Sequence, residues 1–131
     1  LVEEKTLNKA FSTSAWAMKE VMAEQILVAP RIKKEFSVRG KDKQALLYKF
    51  LEDLIYFLDT EGFILSKAPI VKIKKTEKTK ENEEGFILEA KVIGDSADRY
   101  IFTNDVKAIT YNDMIFDEEK DKTTIVFVLD V

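Results

Sequence analysis

The chain has 131 residues, of which 46% are hydrophobic and 34% are charged, and this balance is typical of a single folded domain. Cys and His are absent, which excludes disulfides, thiolate nucleophiles and metal sites built from these residues. The net charge of −3 does not indicate nucleic acid or an anionic membrane as a partner. No apolar run approaches the roughly 18 residues that span a bilayer, so we expect a cytoplasmic protein.

The N-terminal part of the chain predicts the end of a strand followed by a helix. Residues 1–3 have the pattern of a strand whose beginning precedes the sequence, so we expect an N-terminal segment before Leu1. Thr6 is placed to cap a helix that ends near Met22 or Ala23. Its apolar face is predicted to contain Leu7, Ala10, Phe11, Ser14, Ala17, Met18, Val21 and Met22.

Trp16 falls outside this apolar face, since about 100° per residue places it opposite Leu7. Two interpretations are open. In the first, Trp16 packs across a neighbouring loop and contributes to stability. In the second, it is an exposed anchor for a partner, because tryptophan is enriched at the energetic centres of protein interfaces.

The next three elements are a strand, a long helix and a short apolar strand. Residues 31–39 alternate apolar and polar side chains, and Lys34 interrupts the apolar face, which favours an edge strand. We predict the long helix over Asp42–Asp59, with Asp42 as its cap and Gly62 as the left-handed residue that ends it. Its apolar stripe contains Leu47, Phe50, Leu51, Leu54, Ile55 and Leu58.

Two further strands, 70–74 and 86–93, are predicted to form a hairpin with a polar tip. The lysines at and before this tip could form a strip for phosphate groups. Four interspersed glutamates and the lack of aromatic residues favour a solvated hairpin instead. The residues of this alternative are Lys72, Lys74, Lys75, Lys78 and Lys80, with Glu77, Glu81, Glu83 and Glu84.

Residues 94–98 contain Asp95 and Asp98, which could suggest a calcium loop, but the EF-hand spacing is missing, so we predict a surface loop. Residues 106–111 form a short segment, and 114–116 and 124–129 are predicted strands. The last strand is apolar on both faces and is therefore expected at the centre of a sheet. We predict an α+β fold over residues 1–131, a single domain with two main helices packed on one face of a largely antiparallel sheet.

Few residues indicate chemistry. The four glycines are not clustered into a phosphate-binding loop, and no Ser–His or Cys–His pair is possible, so we predict that the protein is not an enzyme. At the end of the last strand, the Asp130 side chain and the α-carboxylate of Val131 would place two hard oxygen donors together. Such donors suit Ca²⁺ or Mg²⁺, although Ca²⁺ takes about six to eight oxygens. A solvated chain end is the alternative.

Three segments resemble archease, the small accessory protein of tRNA-splicing ligation. They are TLNKAFSTSAWAMKEVM (6–22), LLYKFLEDLIYFLDTEGFIL (46–65), and DVKAITYNDM (105–114) followed by VFVLDV (126–131). Two features depart from the family. Its opening strand carries a His-Thr-Ala-Asp motif, which would precede Leu1, and its members commonly have His where this chain has Asn112.

The resemblance implies an activator of a GTP-dependent RNA ligase of the RtcB type, which helps that enzyme through guanylylation. It also implies a divalent cation, Ca²⁺ or alternatively Mg²⁺, held by Asp130, by the carboxylate of Val131 and by the Asp of the opening motif. The site is therefore incomplete in the chain as given. RNA contact would be indirect or weak, and no membrane would be involved. A chaperone-like protein-binding module and a metal-dependent hydrolase or nuclease are the alternative functions.

Overall fold

The structure, a computed structural model, describes residues 2–23, 26–79, 84–100 and 108–130; for residues 108, 110–113 and 130 it describes the backbone alone. Two long helices, seven strands and one short 3₁₀ helix at Ala97–Arg99 form the described part of the chain. In chain order the strands and the two long helices are β1 (Val2–Glu4), α1 (Leu7–Met22), β2 (Ile32–Gly40), α2 (Lys43–Glu61), β3 (Phe63–Leu65), β4 (Ile70–Thr76), β5 (Gly85–Ser96), β6 (Ala108–Glu118) and β7 (Thr123–Asp130).

Both helices begin at the predicted capping residues, and α2 ends at the predicted glycine. The Thr6 hydroxyl accepts a hydrogen bond from the Lys9 N–H at 3.2 Å, and the Asp42 carboxylate accepts one from the Ala45 N–H at 2.7 Å. Each cap satisfies an N–H group that has no partner within its helix. Gly62 has φ 64° and ends α2, which runs two residues beyond the predicted Asp59. The predicted caps are therefore confirmed.

The strands form two antiparallel sheets. The three-stranded sheet has the order β1-β7-β6, so the predicted central position of the last strand is confirmed. In the other sheet, β5 pairs with β2 along one side and with both β3 and β4 along the other. β2 is therefore an edge strand, as predicted. The α+β class and the antiparallel pairing are confirmed, and each helix contacts strands of both sheets.

Four phenylalanines connect the two helices and the two sheets. The Phe11 ring on α1 stacks on Phe50 of α2 with centroids 6.3 Å apart, and Phe50 stacks on Phe36 of β2 at 6.0 Å. Phe116 of β6 meets Phe11 edge-on at 6.1 Å. Phe11 and Phe50 have no exposed surface. These rings therefore tie one sheet to the other through the helices.

The buried face of α1 differs in part from the prediction. Ala15 and Lys19 are buried, whereas Val21 is 38% exposed. Lys19 is tolerated inside because its Nζ donates to the Ile26 carbonyl at 2.8 Å and pairs with Glu20 at 3.2 Å. A buried ammonium needs such partners. Apolar periodicity could not reveal this, because the Ile26 carbonyl belongs to the segment that follows the helix.

Two strand predictions were too short. Residues 94–96, predicted as the start of a surface loop, instead continue β5, because β3 pairs with them. Residues 108–118 form one strand, β6, rather than two segments. Its register against β7 shifts between Thr110 and Ile115, so that more residues of β6 than of β7 lie between the two paired regions. Such a bulge hides the alternation on which strand prediction depends.

The Phe50→Ala variant tests the aromatic connection. We expect a loss of about 3–5 kcal/mol in the free energy of unfolding, because the cavity would open where α1, α2 and β2 meet. Denaturant melts of both proteins measure it. Lys49→Ala, on the exposed side of the same helix, should stay within about 0.5 kcal/mol. Equal losses in the two variants would contradict this description of the core.

Candidate functional site

The predicted metal site lies at the end of β7. The backbone of Asp130 pairs with Ala108 of β6, so the strand is held by its neighbour up to its last described residue. The Asp130 side chain and the whole of Val131 lie outside what the structure describes. The proposed ligation by these two residues therefore stays a prediction.

β1 pairs with β7, and the N-terminal end of β1 points toward the end of the sheet where β7 finishes. Val2 lies opposite Ile125 and Glu4 lies opposite Thr123 in the antiparallel register. Moving backward along β1 therefore means moving forward along β7, toward Asp130.

The β6 bulge lies close to the same end of the three-stranded sheet. Ala108–Thr110 pair with residues 128–130 of β7, and pairing resumes at Ile115, opposite Val126. Asn112 falls within the bulge, and its side chain is outside the described part. Bulges change the direction of side chains and are frequent next to functional sites.

Nowhere among the described residues do three His, Cys, Asp or Glu side chains come together as a metal-binding group. The donors predicted at the end of β7 are carboxylate oxygens, which would suit a hard cation such as Ca²⁺. Two carboxylates supply fewer oxygens than Ca²⁺ requires, so the remaining ligands would come from water or from another carboxylate.

Asp95 is not part of a calcium loop. Only 1% of its surface is exposed, and its Oδ2 accepts a hydrogen bond from the Tyr100 hydroxyl at 2.7 Å. Its Oδ1 accepts one from the Ser96 N–H at 2.8 Å, and Arg31 and Arg99 lie 3.6 and 3.7 Å away. The prediction of a surface loop was wrong for Asp95, whereas Asp98 is exposed as predicted. The carboxylate is a buried, fully engaged group, because partners on three segments meet around it.

These contacts shift the pKa of the Asp95 carboxyl group. The Tyr100 hydrogen bond contributes most to lowering the pKa of this carboxyl below its ordinary value, and Ser96, Arg31 and Arg99 act in the same direction. Burial alone would raise the pKa. Tyr100 also accepts a hydrogen bond from the Ala29 N–H at 2.9 Å. The cluster therefore fastens the segment after α1 to the end of β5.

Trp16 is half-buried and packs against the main core. The Lys19 Nζ lies 4.6 Å from the centre of its ring, and the same Nζ binds the Ile26 carbonyl. The ring is thus placed beside the segment that follows α1. This geometry favours the interpretation in which Trp16 contributes to packing.

Two groups on α2, Tyr48 and Asp53, also have shifted pKa values. Burial is the main cause that raises the pKa of Asp53, with Lys49 opposing it and Glu52 adding to it. A hydrogen bond with Glu52 is the main cause that raises the pKa of Tyr48.

Comparison with known proteins identifies the family. The family model described as the archease protein family (MTH1598/TM1083) matches residues 2–131. The chain belongs to the archease family. Protein archease of Thermococcus gammatolerans is 39% identical over 111 residues, which cover 83% of this chain and 73% of that protein. Protein archease of Aeropyrum pernix is 33% identical over 129 residues, covering 97% and 85%.

A solved structure also matches this archease-family chain. The solution structure of Methanobacterium thermoautotrophicum protein 1598 superposes with a TM-score of 0.70 at 26% identity, covering 98% of this chain and 88% of that one. The resemblance inferred from sequence motifs is therefore confirmed at the level of family and fold. Among the described residues, no helix has the length and apolar character needed to cross a membrane.

Replacing Asp95 by Asn tests the buried cluster. Because its folded-state pKa lies below the ordinary value of 3.8, Asp95 contributes stability above that pH and loses it as the pH falls through the folded pKa. We expect Asp95→Asn to be destabilised at pH 7, and the difference from the unmodified protein to shrink below about pH 4. Urea melts from pH 7 to pH 3 measure this.

Asp98→Asn is the matched control, since Asp98 is an exposed carboxyl only three residues away. It should leave the unfolding midpoint at pH 7 unchanged. A difference between Asp95→Asn and the unmodified protein that stays constant over this pH range would contradict the assignment of Asp95 as a carboxylate stabilised by its partners.

Proposed function

We propose that this chain activates a GTP-dependent RNA ligase of the RtcB type in tRNA splicing, promoting its guanylylation and its multiple turnover. Membership in the archease family over residues 2–131 is the observation that carries the proposal. The chain would act as a cytoplasmic accessory protein without turnover of its own. Its composition is consistent with that role, because it has neither the commonest general base nor a thiol nucleophile.

The end of β7 is the part of the molecule that we expect to contact the ligase. Pairing with β6 continues to Asp130, so the backbone that carries this residue is fixed by a sheet rather than by a loop. A functional group on a fixed strand is positioned more accurately than one on a mobile connection. The register of β1 also supports a shared site, because a carboxylate on an N-terminal continuation of β1 would lie near Asp130.

Asp130 and the carboxylate of Val131 would hold a divalent cation in this proposal, with Ca²⁺ preferred over Mg²⁺. When bound, the ion supplies positive charge that holds neighbouring carboxylates together. Asp130 would hold the end of β7 in place. The surface formed by this strand end would then contact and stabilise the region of the ligase where the nucleotide binds. No side chain of this protein would take part in the transfer of the guanylyl group.

Asp130→Ala tests the proposed site in the full-length protein. We expect stimulation of the cognate ligase to be lost, whereas the unfolding midpoint should change little, because a residue at a strand end adds little to the core. The measurement is multiple-turnover ligation of tRNA exon halves with this protein in substoichiometric amounts. Extending the chain beyond Val131 should have the same effect, because it removes the α-carboxylate.

Asp121→Ala is the matched control, since Asp121 is an exposed aspartate in the β6–β7 turn, at the opposite end of β7. It should stimulate the ligase fully. Full stimulation by Asp130→Ala would reject the site, and no stimulation by the unmodified protein would reject the function. Suppression of the aggregation of unrelated proteins, without any effect on the ligase, would support the chaperone-like alternative.

A further inference from the structure

The outer face of the four-stranded sheet, on the side away from the helices, concentrates positive charge. We name it the basic sheet face. Its side chains are exposed and come from β2, β4, β5 and the β3–β4 connection. Its cations are Lys33, Lys67, Arg39, Lys72, Lys74 and Lys91, and its carboxylates are Glu35 and Glu89.

The strand register places four of these cations at the two ends of the face and leaves Lys72 and Lys91 between the ends. At one end, Arg39 and Lys74 lie on either side of Ile87 of β5. At the other end, Lys33 lies opposite Ile93, and Lys67 lines the same depression as Lys33. Arg39 is six positions after Lys33 along β2, so the two ends are roughly 20 Å apart at about 3.3 Å per residue.

The two carboxylates of the face are paired within it. Glu35 lies 3.8 Å from Lys91, and Glu89 lies 4.0 Å from Lys74. For Lys33, Arg39, Lys67 and Lys72, no ion pair is present within the described part of the chain. The face therefore carries four more cations than carboxylates, although the whole chain has a net charge of −3. Such separation of charge indicates an anionic partner.

The shape of the face restricts the kind of anion. Between the two basic ends is a shallow depression of about 450 Å³, where Ile70 is 58% exposed. Apart from Phe36, whose ring packs against Phe50 and Phe57 on the helix side of the sheet, none of the residues lining the depression or forming the basic sheet face is aromatic. Single-stranded nucleic acid is usually held by stacking of bases on exposed aromatic rings. The face therefore suits a regular phosphate backbone better than unpaired bases.

We propose that the basic sheet face binds the phosphate backbone of an RNA duplex. An A-form duplex has a wide, shallow minor groove bordered by two backbones, which a nearly flat surface can approach. The two basic ends of the sheet face would contact the two backbones, and the depression would face the minor groove. No described element projects from this face as a helix would to enter the major groove of DNA. This direct contact departs from the indirect or weak RNA contact that the resemblance implied, and the proposal does not depend on activation of a ligase.

The test is the binding of a labelled RNA duplex of about 16 base pairs to the full-length protein, a length that suits minor-groove recognition. Titrations between 50 and 200 mM salt should give a slope of log affinity against log salt of about −3 to −4, from roughly four neutralised phosphates. The double variant Lys33→Glu/Lys72→Glu should lose at least about tenfold in affinity at 50 mM salt, with a slope smaller by about 2.

Lys49→Glu/Lys120→Glu is the matched control, because it changes the net charge equally at exposed positions on α2 and in the β6–β7 turn. Its affinity for the RNA duplex should stay within about threefold of that of the unmodified protein. Salt screens charges that are distant from the bound RNA, so changes at these two positions should have little effect. Unchanged unfolding midpoints in both variants would establish that neither loses its fold.

Four outcomes would overturn the proposal. The first is no binding of the RNA duplex by the unmodified protein at 50 mM salt. The second is an equal loss of affinity in both double variants, which would reflect net charge alone. The third is equal or tighter binding of single-stranded RNA or of a DNA duplex with the same sequence. The fourth is loss of ligase stimulation in Lys33→Glu/Lys72→Glu without RNA binding, which would assign the face to an acidic protein surface.

Discussion

The packing of Phe11 against Phe50 is the contact on which the remainder of the fold depends. Each ring also meets a ring from a different sheet, Phe116 in one case and Phe36 in the other. Within the described residues, strand pairing does not join the two sheets to each other, so the helices that contact both sheets set their relative position. A change at either ring would therefore alter the geometry of both sheets, including the two surfaces to which we assign function.

Local signals in the sequence predicted the helices well, because their determinants lie within a few residues of each other. Asp42 caps α2 through Ala45, and Gly62 ends it through its own backbone. Asp95 could not be assigned in this way. Its partners Arg31 and Tyr100 come from segments far from each other in sequence, so the same residue type that suggests an exposed loop is buried once these segments meet.

The two functional surfaces differ in how far sequence could predict them. Asp130 and Val131 were proposed from the resemblance and from carboxylate chemistry, and their side-chain geometry lies outside the described residues. The basic sheet face was missed because its cations are dispersed along the chain, from Lys33 to Lys91. Only Lys72 and Lys74 belonged to the strip considered from sequence. Lys75 of that strip lies off the face and pairs with Glu84 at 3.5 Å. Pairing of β2, β4 and β5 is what assembles the surface.

The pairing of β1 with β7 has a consequence for folding during synthesis. All strands of the four-stranded sheet precede residue 97, whereas the three-stranded sheet needs residues from both ends of the described chain. The four-stranded sheet can therefore be complete in the nascent chain before β7, which contacts α1, has been synthesised. Contacts between such distant residues form slowly. Until β7 emerges, the apolar surface that will cover Ile125 remains exposed, and the nascent chain is most prone to aggregation during that interval.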